Sequence, residues 1–325
     1  MVPAGFFVLT DTDIVVPGST ANLGGGFDTL GVAVQLYLRA RIVDVRADGG
    51  ARLEVVSSRP ALRGTNAVER AFASIAKQAT GPVPTVLAEV DSDIPLAAGL
   101  GSSAAATVAG LRIFERVTGP ISETTLLAAA TALEGHADNA APAIFGGMTS
   151  VVEVPLSPDA FGEASRSVRA LRWKWPDDLK FVIATPFEGL STKKARAALA
   201  PTISRTDAVF NLQRVLSLVH ALQNREYDRL REALQDRWHQ PARAALVAHL
   251  GAVLALDDPD VLGAYLSGAG PSVAVLARRD FARVERLLQT TCEAAGSPVT
   301  VRTLAAHQPT NTMRDAVASV HGRTA

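Results

Sequence analysis

The chain has 325 residues, 48% of them apolar and 20% charged, which is enough for a sizeable core and soft evidence of two domains. Lys+Arg and Asp+Glu each number 32, so no net field recruits nucleic acid or an acidic membrane surface. A single cysteine, Cys292, excludes an internal disulfide framework and most thiolate metal sites, and it suits a reducing cytoplasm.

The N-terminal stretch "MVPAGFFVLTDTDIVV" lacks a basic n-region and is interrupted by acidic residues, so it does not read as a signal peptide. Nowhere do about eighteen strongly apolar residues run uninterrupted, which excludes a membrane span. "DIVVPG" and "AVQLYLRARIVDVRA" read as strands, the second alternating and rich in β-branched and aromatic residues. "NAVERAFASIAKQAT" has helical spacing, and "TVLAEVDSDI" returns to strand. A Gly/Ser turn then leads into a helix over 102–117. "SETTLLAAATALEGHADN" predicts a second helix, with Ser122 able to cap it. "GGMTSVVEV" predicts a strand that closes this half.

"PLSPDAFGEASRS" has linker composition and places a division after residue 158, giving domains 1–158 and 159–325. Beyond it "LKFVIATP" predicts a buried strand, and a helical block runs from Asp207 to Leu256 with breaks near Asn224 and at Pro241. "GAYLSGAGPSVAVLA" reads as strand, glycine turn, strand. "DFARVERLLQTTCEAAG" is an amphipathic helix, "PVTVRTLA" a last strand, and the tail after Gln308 a polar end that frays. There is no internal repeat and no low-complexity tract. The halves read as mixed α/β units around two sheets.

Three turns of small residues carry the chemistry: "VPGSTANLGGGFDTLG" (16–31), "PLAAGLGSSAA" (95–105) and "SGAGPS" (267–272). "GLGSSA" satisfies the loose G-x-G-x-x-G/A dinucleotide pattern, but Asp91, Asp93 and Pro95 stand between strand and glycines, against a Rossmann site. No G-x-x-x-x-G-K-[ST] occurs. Such a turn either lets a small-residue helix pack closely or cradles an anion. A helix starting at Ser102 or Ser103 leaves its first N–H groups unpaired, the macrodipole adds positive charge there, and glycines let backbone wrap a phosphate.

The three stretches, in order and spacing, resemble the three motifs of the GHMP kinases, and "PLAAGLGSSAA" matches that family's phosphate loop throughout. Within the family the homoserine kinase branch is the most similar. It is matched by "VVPGSTANLGGGFD", "EGHADNAAPAIFGG" (134–147), "STKKAR" (191–196) and "HQPAR" (239–243), over about residues 14–302. The departures are Gly18 for Ala, Gly25 for Pro, Ala137 for Pro and Ala140 for Val, and none removes a polar group expected at the ligand.

The resemblance implies an α+β, two-domain fold: an N-terminal nucleotide-binding α/β domain and a C-terminal ferredoxin-like α/β sandwich. It implies transfer of the ATP γ-phosphoryl to the hydroxyl of L-homoserine, a reaction dominated by positioning and electrostatics. Nucleotide contacts are expected from Pro95, Leu96, Ala97, Ala98, Gly99, Leu100, Gly101, Ser102, Ser103, Ala104 and Ala105, with Gly268 and Gly270 from the third turn. Asn66 is either an adenine-end contact or a simple N-cap. The Ser103 hydroxyl and Glu134 carboxylate are expected to hold Mg²⁺. A zwitterionic acceptor needs guanidinium for its carboxylate and carboxylate for its ammonium; Arg196 and Arg243, and Asp28 with Asn22, lie in the matching motifs. His136 and Asn139 complete the acceptor site. Asn139 and Arg196 are expected at the reacting groups, with Asn139 orienting the hydroxyl because an amide cannot act as a base. Asp138 is expected to lie on a helix and point elsewhere. The small acceptor is the expected partner in a cytoplasmic protein, without nucleic acid or membrane; a homodimer is compatible with the family.

Overall fold

A computed structural model describes residues 13–61, 66–155 and 166–309. The chain opens with β1 (Asp13–Ala21), β2 (Leu30–Arg46) and β3 (Leu53–Arg59), then α1 (Ala67–Ala76) and β4 (Thr85–Ser92). Helices α2 (Ser102–Thr118), α3 (Glu123–Glu134) and α4 (Ala140–Phe145) precede β5 (Met148–Pro155) and β6 (Arg166–Trp173). These strands make one sheet in the order β3-β4-β2-β5-β6, with β1 also paired to β2.

The second sheet, β10-β7-β9-β8, is antiparallel throughout and is built from β7 (Lys180–Pro186), β8 (Gly263–Leu266), β9 (Val273–Ala277) and β10 (Val299–Leu304). Its helices are α5 (Thr192–Ala197), α6 (Arg205–Asn224), the short α7 (Leu230–Ala233), α8 (His239–Arg243) and α9 (Leu250–Leu254), and α10 (Phe281–Ala294). One hydrophobic cluster joins the sheets, running from Val34 and Leu36 to Phe181, Ile183, Tyr265 and Leu304; a second, with Val182, Val275, Val284 and Leu288, fills the space under α10.

Most elements lie where periodicity places them, and the exceptions have local causes. β3 and β6 were not legible. Both are edge strands of the first sheet, and β6 carries arginine at 169 and 172, the kind of charge that protects an exposed edge and hides strand character. The helix expected through Asn139 stops at Glu134, and residues 135–139 lead into the separate α4. Pro241 does not break a helix: it is the third residue of α8, where its missing N–H has no intrahelical acceptor to lose. The expected linker lies largely outside the described residues, as does the tail beyond Pro309.

Two pairings of the first sheet favour a later division than the one expected after residue 158. β6 pairs with β5 along its whole length, so a cut at 158/159 separates antiparallel neighbours. After β10 the chain also returns to the first sheet, where Gln35 N–H donates to Ala305 O and His307 N–H to Ala33 O. We place the boundary between Trp173 and Lys180, with 305–309 belonging to the first unit.

Candidate active site

The three small-residue turns converge on one open cleft, between the N-terminus of α2 and the ends of α3, α5 and α8. Of the expected phosphate-loop residues, Ala97, Ala98, Gly99, Gly101, Ser102, Ser103 and Ala104 line it. Pro95 and Leu100 line a separate groove, half-exposed Leu96 lies off the cleft, and Ala105 is buried in α2.

The loop's hydrogen bonds explain its shape. Four consecutive carbonyls are bound by the surrounding turns: Ala97 O by Leu190 N–H, Ala98 O by Ser272 N–H, Gly99 O by Ser267 Oγ and Leu100 O by Ser19 N–H. Among the described residues no backbone carbonyl outside regular elements takes the N–H groups of 97–101. Gly99 and Gly101 are both left-handed; a Cβ would lie 2.2 Å from Ser267 O at Gly99 and 2.3 Å from Ser19 Oγ at Gly101. No side chain caps the 17-residue α2, so its first turn presents free N–H groups and the positive end of its dipole to the cleft.

Glu134, the last residue of α3, also lines the cleft, and Ser103 Oγ donates to its Oε1 at 3.0 Å. Thr107, one turn further along α2, donates to the same oxygen at 2.6 Å. A carboxylate and a hydroxyl so placed beside a phosphate cradle fit a hard divalent cation that keeps several waters. Thr107 was missed because a threonine inside an Ala-rich helix carries no motif signal.

The polar end of the cleft holds Asn22, Asp28, His136, Asp138, Asn139, Arg196, Arg243 and Gly268. Asp28 and Arg196 form a bidentate pair at 2.6 and 2.9 Å, joining the residues expected to meet opposite ends of the acceptor. Those hydrogen bonds, together with the carboxylate charge, raise Arg196 further above its ordinary value. Asn22 is 2% exposed and uses both ends of its amide: Nδ2 donates to Gly268 O and Oδ1 accepts from Asp28 N–H. It braces the first loop against the third. That loop holds Asn22, Leu23 and Asp28 at positive φ, a local strain of the kind found at functional sites.

Arg243 is 1% exposed, yet it forms no ion pair among the described residues. Its Nε donates to Ala195 O, and its Nη1 donates to Gly268 O and to His239 Nδ1. His239 Nε2 in turn donates to Gly24 O at 2.8 Å. Burial pushes the His239 imidazole below its ordinary value, consistent with this neutral tautomer, and lowers Arg243 as well, with help from Arg196. Both guanidinium groups flank the Phe27 ring, at 5.5 Å for Arg196 and 5.3 Å for Arg243, and Trp238 packs 4.8 Å from the same ring.

Asp138 and Asn139 both line the cleft, against the expectation that Asp138 points away; the helix that would separate them has already ended. Asp138 Oδ1 accepts from His136 Nδ1 at 2.7 Å and from the Asn139 N–H. Burial depresses His136, but the Asp138 hydrogen bond and charge outweigh it and leave the imidazole above its ordinary value. Asp28, His136 and Asp138 come close enough to hold a metal, but the Asp28 charge is already balanced by Arg196 and Asp138 is hydrogen-bonded by His136, so they read as an ion-pair network with lone pairs to spare. Asn66 is the N-cap of α1 in a capping box with Glu69 and is not among the cleft residues. Gly270 lies behind the loop, its N–H donating to Ser267 O.

An uncapped helix N-terminus, an oxygen pair suited to a hard cation and a pocket of paired charges are what a small-molecule kinase site requires. Family models agree: residues 66–147 match the GHMP kinases N terminal domain and 218–294 the GHMP kinases C terminal. A homoserine kinase from Nostoc sp. is 35% identical over 306 residues, covering 92% of this chain and 97% of that protein. A homoserine kinase from Deinococcus radiodurans is 40% identical over 259 residues, covering 79% and 81%. The crystal structure of homoserine kinase from Cytophaga hutchinsonii superimposes with TM-score 0.74 at 25% identity, covering 94% of this chain and 98% of that one. The chain belongs to the homoserine kinase branch of the GHMP kinase family. Among the described residues no helix is long and apolar enough to cross a membrane.

Proposed function

We propose that the protein transfers the γ-phosphoryl group of ATP to the hydroxyl of L-homoserine, forming O-phospho-L-homoserine for threonine biosynthesis in the cytoplasm. The observation that carries this reading is the pairing of Asp28 with Arg196 beside the buried Arg243. Together they offer separate recognition of an ammonium and a carboxylate, in the same cleft as the phosphate cradle. In this reading the N–H groups of Gly99–Ser103 hold the nucleotide phosphates, Asp28 takes the ammonium, and Arg196 and Arg243 take the carboxylate. Asn139 accepts the hydroxyl proton in a hydrogen bond and directs the oxygen lone pair at phosphorus; His136 closes the acceptor pocket. Ser103 and Glu134 would hold Mg²⁺, which neutralises phosphate charge when bound. No side chain is needed as a strong base, because attack on a loose phosphoryl group develops little charge on the hydroxyl until late.

Coupled ADP release with L-homoserine, L-threonine and mevalonate tests the substrate. L-Homoserine should have the highest kcat/KM. L-Threonine, whose secondary hydroxyl lies one atom closer to Cα, should bind better than it reacts. Faster turnover of mevalonate or L-threonine would refute the assignment.

A further inference from the structure

We infer that Ser19 is a positioning residue that sets which way round the Asn139 amide faces the acceptor. The inference rests on the reading of Asn139 as the group that orients the hydroxyl. Ser19 lies on β1, is 0% exposed, and is not among the residues lining the cleft. Its hydroxyl meets Asn139 twice: Oγ donates to Asn139 O at 3.3 Å, and Asn139 Nδ2 donates to Oγ at 2.9 Å.

A serine hydroxyl carries one proton. With that proton given to the backbone carbonyl, Oγ can only accept from the amide, so the NH₂ must face Ser19. Oδ1 is then the amide atom left for a cleft partner. A substrate hydroxyl that gives its proton to Oδ1 keeps its lone pairs free for phosphorus. With the amide turned by 180°, an N–H would donate to the same hydroxyl oxygen and engage the lone pair that must attack.

The phosphate loop closes on the same atom. Ser19 N–H donates to Leu100 O at 3.1 Å, and a Cβ at Gly101 would fall 2.3 Å from Ser19 Oγ and 3.3 Å from Asn139 Nδ2. Ser19 therefore ties the group that orients the acceptor to the loop that holds the donor, although 120 residues separate it from Asn139.

The test is a double-mutant cycle of Ser19→Ala and Asn139→Ala, with Ser19→Cys as the conservative variant, and circular dichroism melts to verify folding. Ser19→Ala should lower kcat by roughly tenfold or more, near the size of one lost hydrogen bond, with KM for both substrates changed by less than about threefold. Ser19→Cys, which keeps a weak donor and acceptor, should recover part of that loss. The double variant should be no slower than Asn139→Ala, because Ser19 acts only through the amide. Additive losses, or a loss in KM with kcat intact, would assign Ser19 a structural role and overturn the inference. So would a Ser19→Ala enzyme at wild-type rate while Asn139→Ala is impaired. If Asn139→Ala itself turns over normally, the reading of Asn139 fails first, and the cycle distinguishes that from failure of Ser19 alone.

Discussion

Removing one charge at a time from the acceptor measures how the Asp28–Arg196 pair is used. 4-Hydroxybutyrate lacks the ammonium and 3-aminopropan-1-ol lacks the carboxylate. From residue types alone, either loss strands a desolvated partner and costs roughly ten-thousand-fold. The geometry changes those sizes and makes them unequal. Asp28 keeps Arg196 at 2.6 and 2.9 Å whether or not an ammonium arrives, and both side chains are about one-third exposed, at 34% and 36%. Losing the ammonium then removes one charge-assisted hydrogen bond, about 1.5–3 kcal/mol, or roughly ten- to 150-fold in kcat/KM. Arg243 is different. It is buried without an anion of its own among the described residues, and its other donors are already committed to Ala195 O, Gly268 O and His239. Losing the carboxylate removes two such bonds and leaves that cation facing an incoming ammonium, so the cost is roughly 10²- to 10⁴-fold. Coupled ADP release at saturating ATP gives kcat/KM for each acceptor. The order L-homoserine, then 4-hydroxybutyrate, then 3-aminopropan-1-ol is expected. A ten-thousand-fold loss for 4-hydroxybutyrate, or a smaller loss for the amine than for the acid, would refute the argument from Arg196. Turnover of both analogues within roughly tenfold of L-homoserine would remove the zwitterion site altogether.

At the proposed metal site, Glu134→Gln keeps shape but removes charge, and a large loss of turnover partly restored by excess Mg²⁺ or Mn²⁺ is expected in a metal titration. Thr107→Val removes the 2.6 Å hydrogen bond that aims the carboxylate, and should raise the Mg²⁺ concentration for half-maximal rate by roughly ten- to 100-fold without changing KM for the acceptor. Asn139→Ala should lower kcat by about ten- to a few hundred-fold, the range expected for a lost active-site hydrogen bond. Asp138→Asn should cost far less than ten-thousand-fold, since its Oδ1 is held by His136 and the Asn139 N–H; a loss of that size, with ATP affinity intact, would make Asp138 the general base. Gly110→Ala would set a Cβ 2.1 Å from Val68 O where α1 crosses α2, so urea denaturation should show about 1–3 kcal/mol of destabilisation, with the kinetic constants of the surviving enzyme unchanged.

What the chain determines locally was legible in it. The glycine spacing around 95–105, the small-residue helix behind it and the motif stretches at 16–31, 134–147, 191–196 and 239–243 mark, without coordinates, stretches that all contribute residues to the cleft. Such features depend on backbone conformation within a few residues, which glycine, proline and capping side chains dictate directly. Tertiary structure decided which of these groups meet. Asp28 and Arg196 are 168 residues apart, and Ser19 and Asn139 are 120 apart; strand register and the docking of the two sheets bring them within hydrogen-bonding distance. The same holds for His239, whose two ring nitrogens join Gly24 O to the Arg243 guanidinium. β3 and β6 escaped notice because an edge strand buries too little to impose a pattern. Asp138 was misplaced because the end of α3, not its residue type, turns it into the cleft. A side chain's chemistry is written at its own position, but its hydrogen-bond partner is chosen by packing across the whole chain.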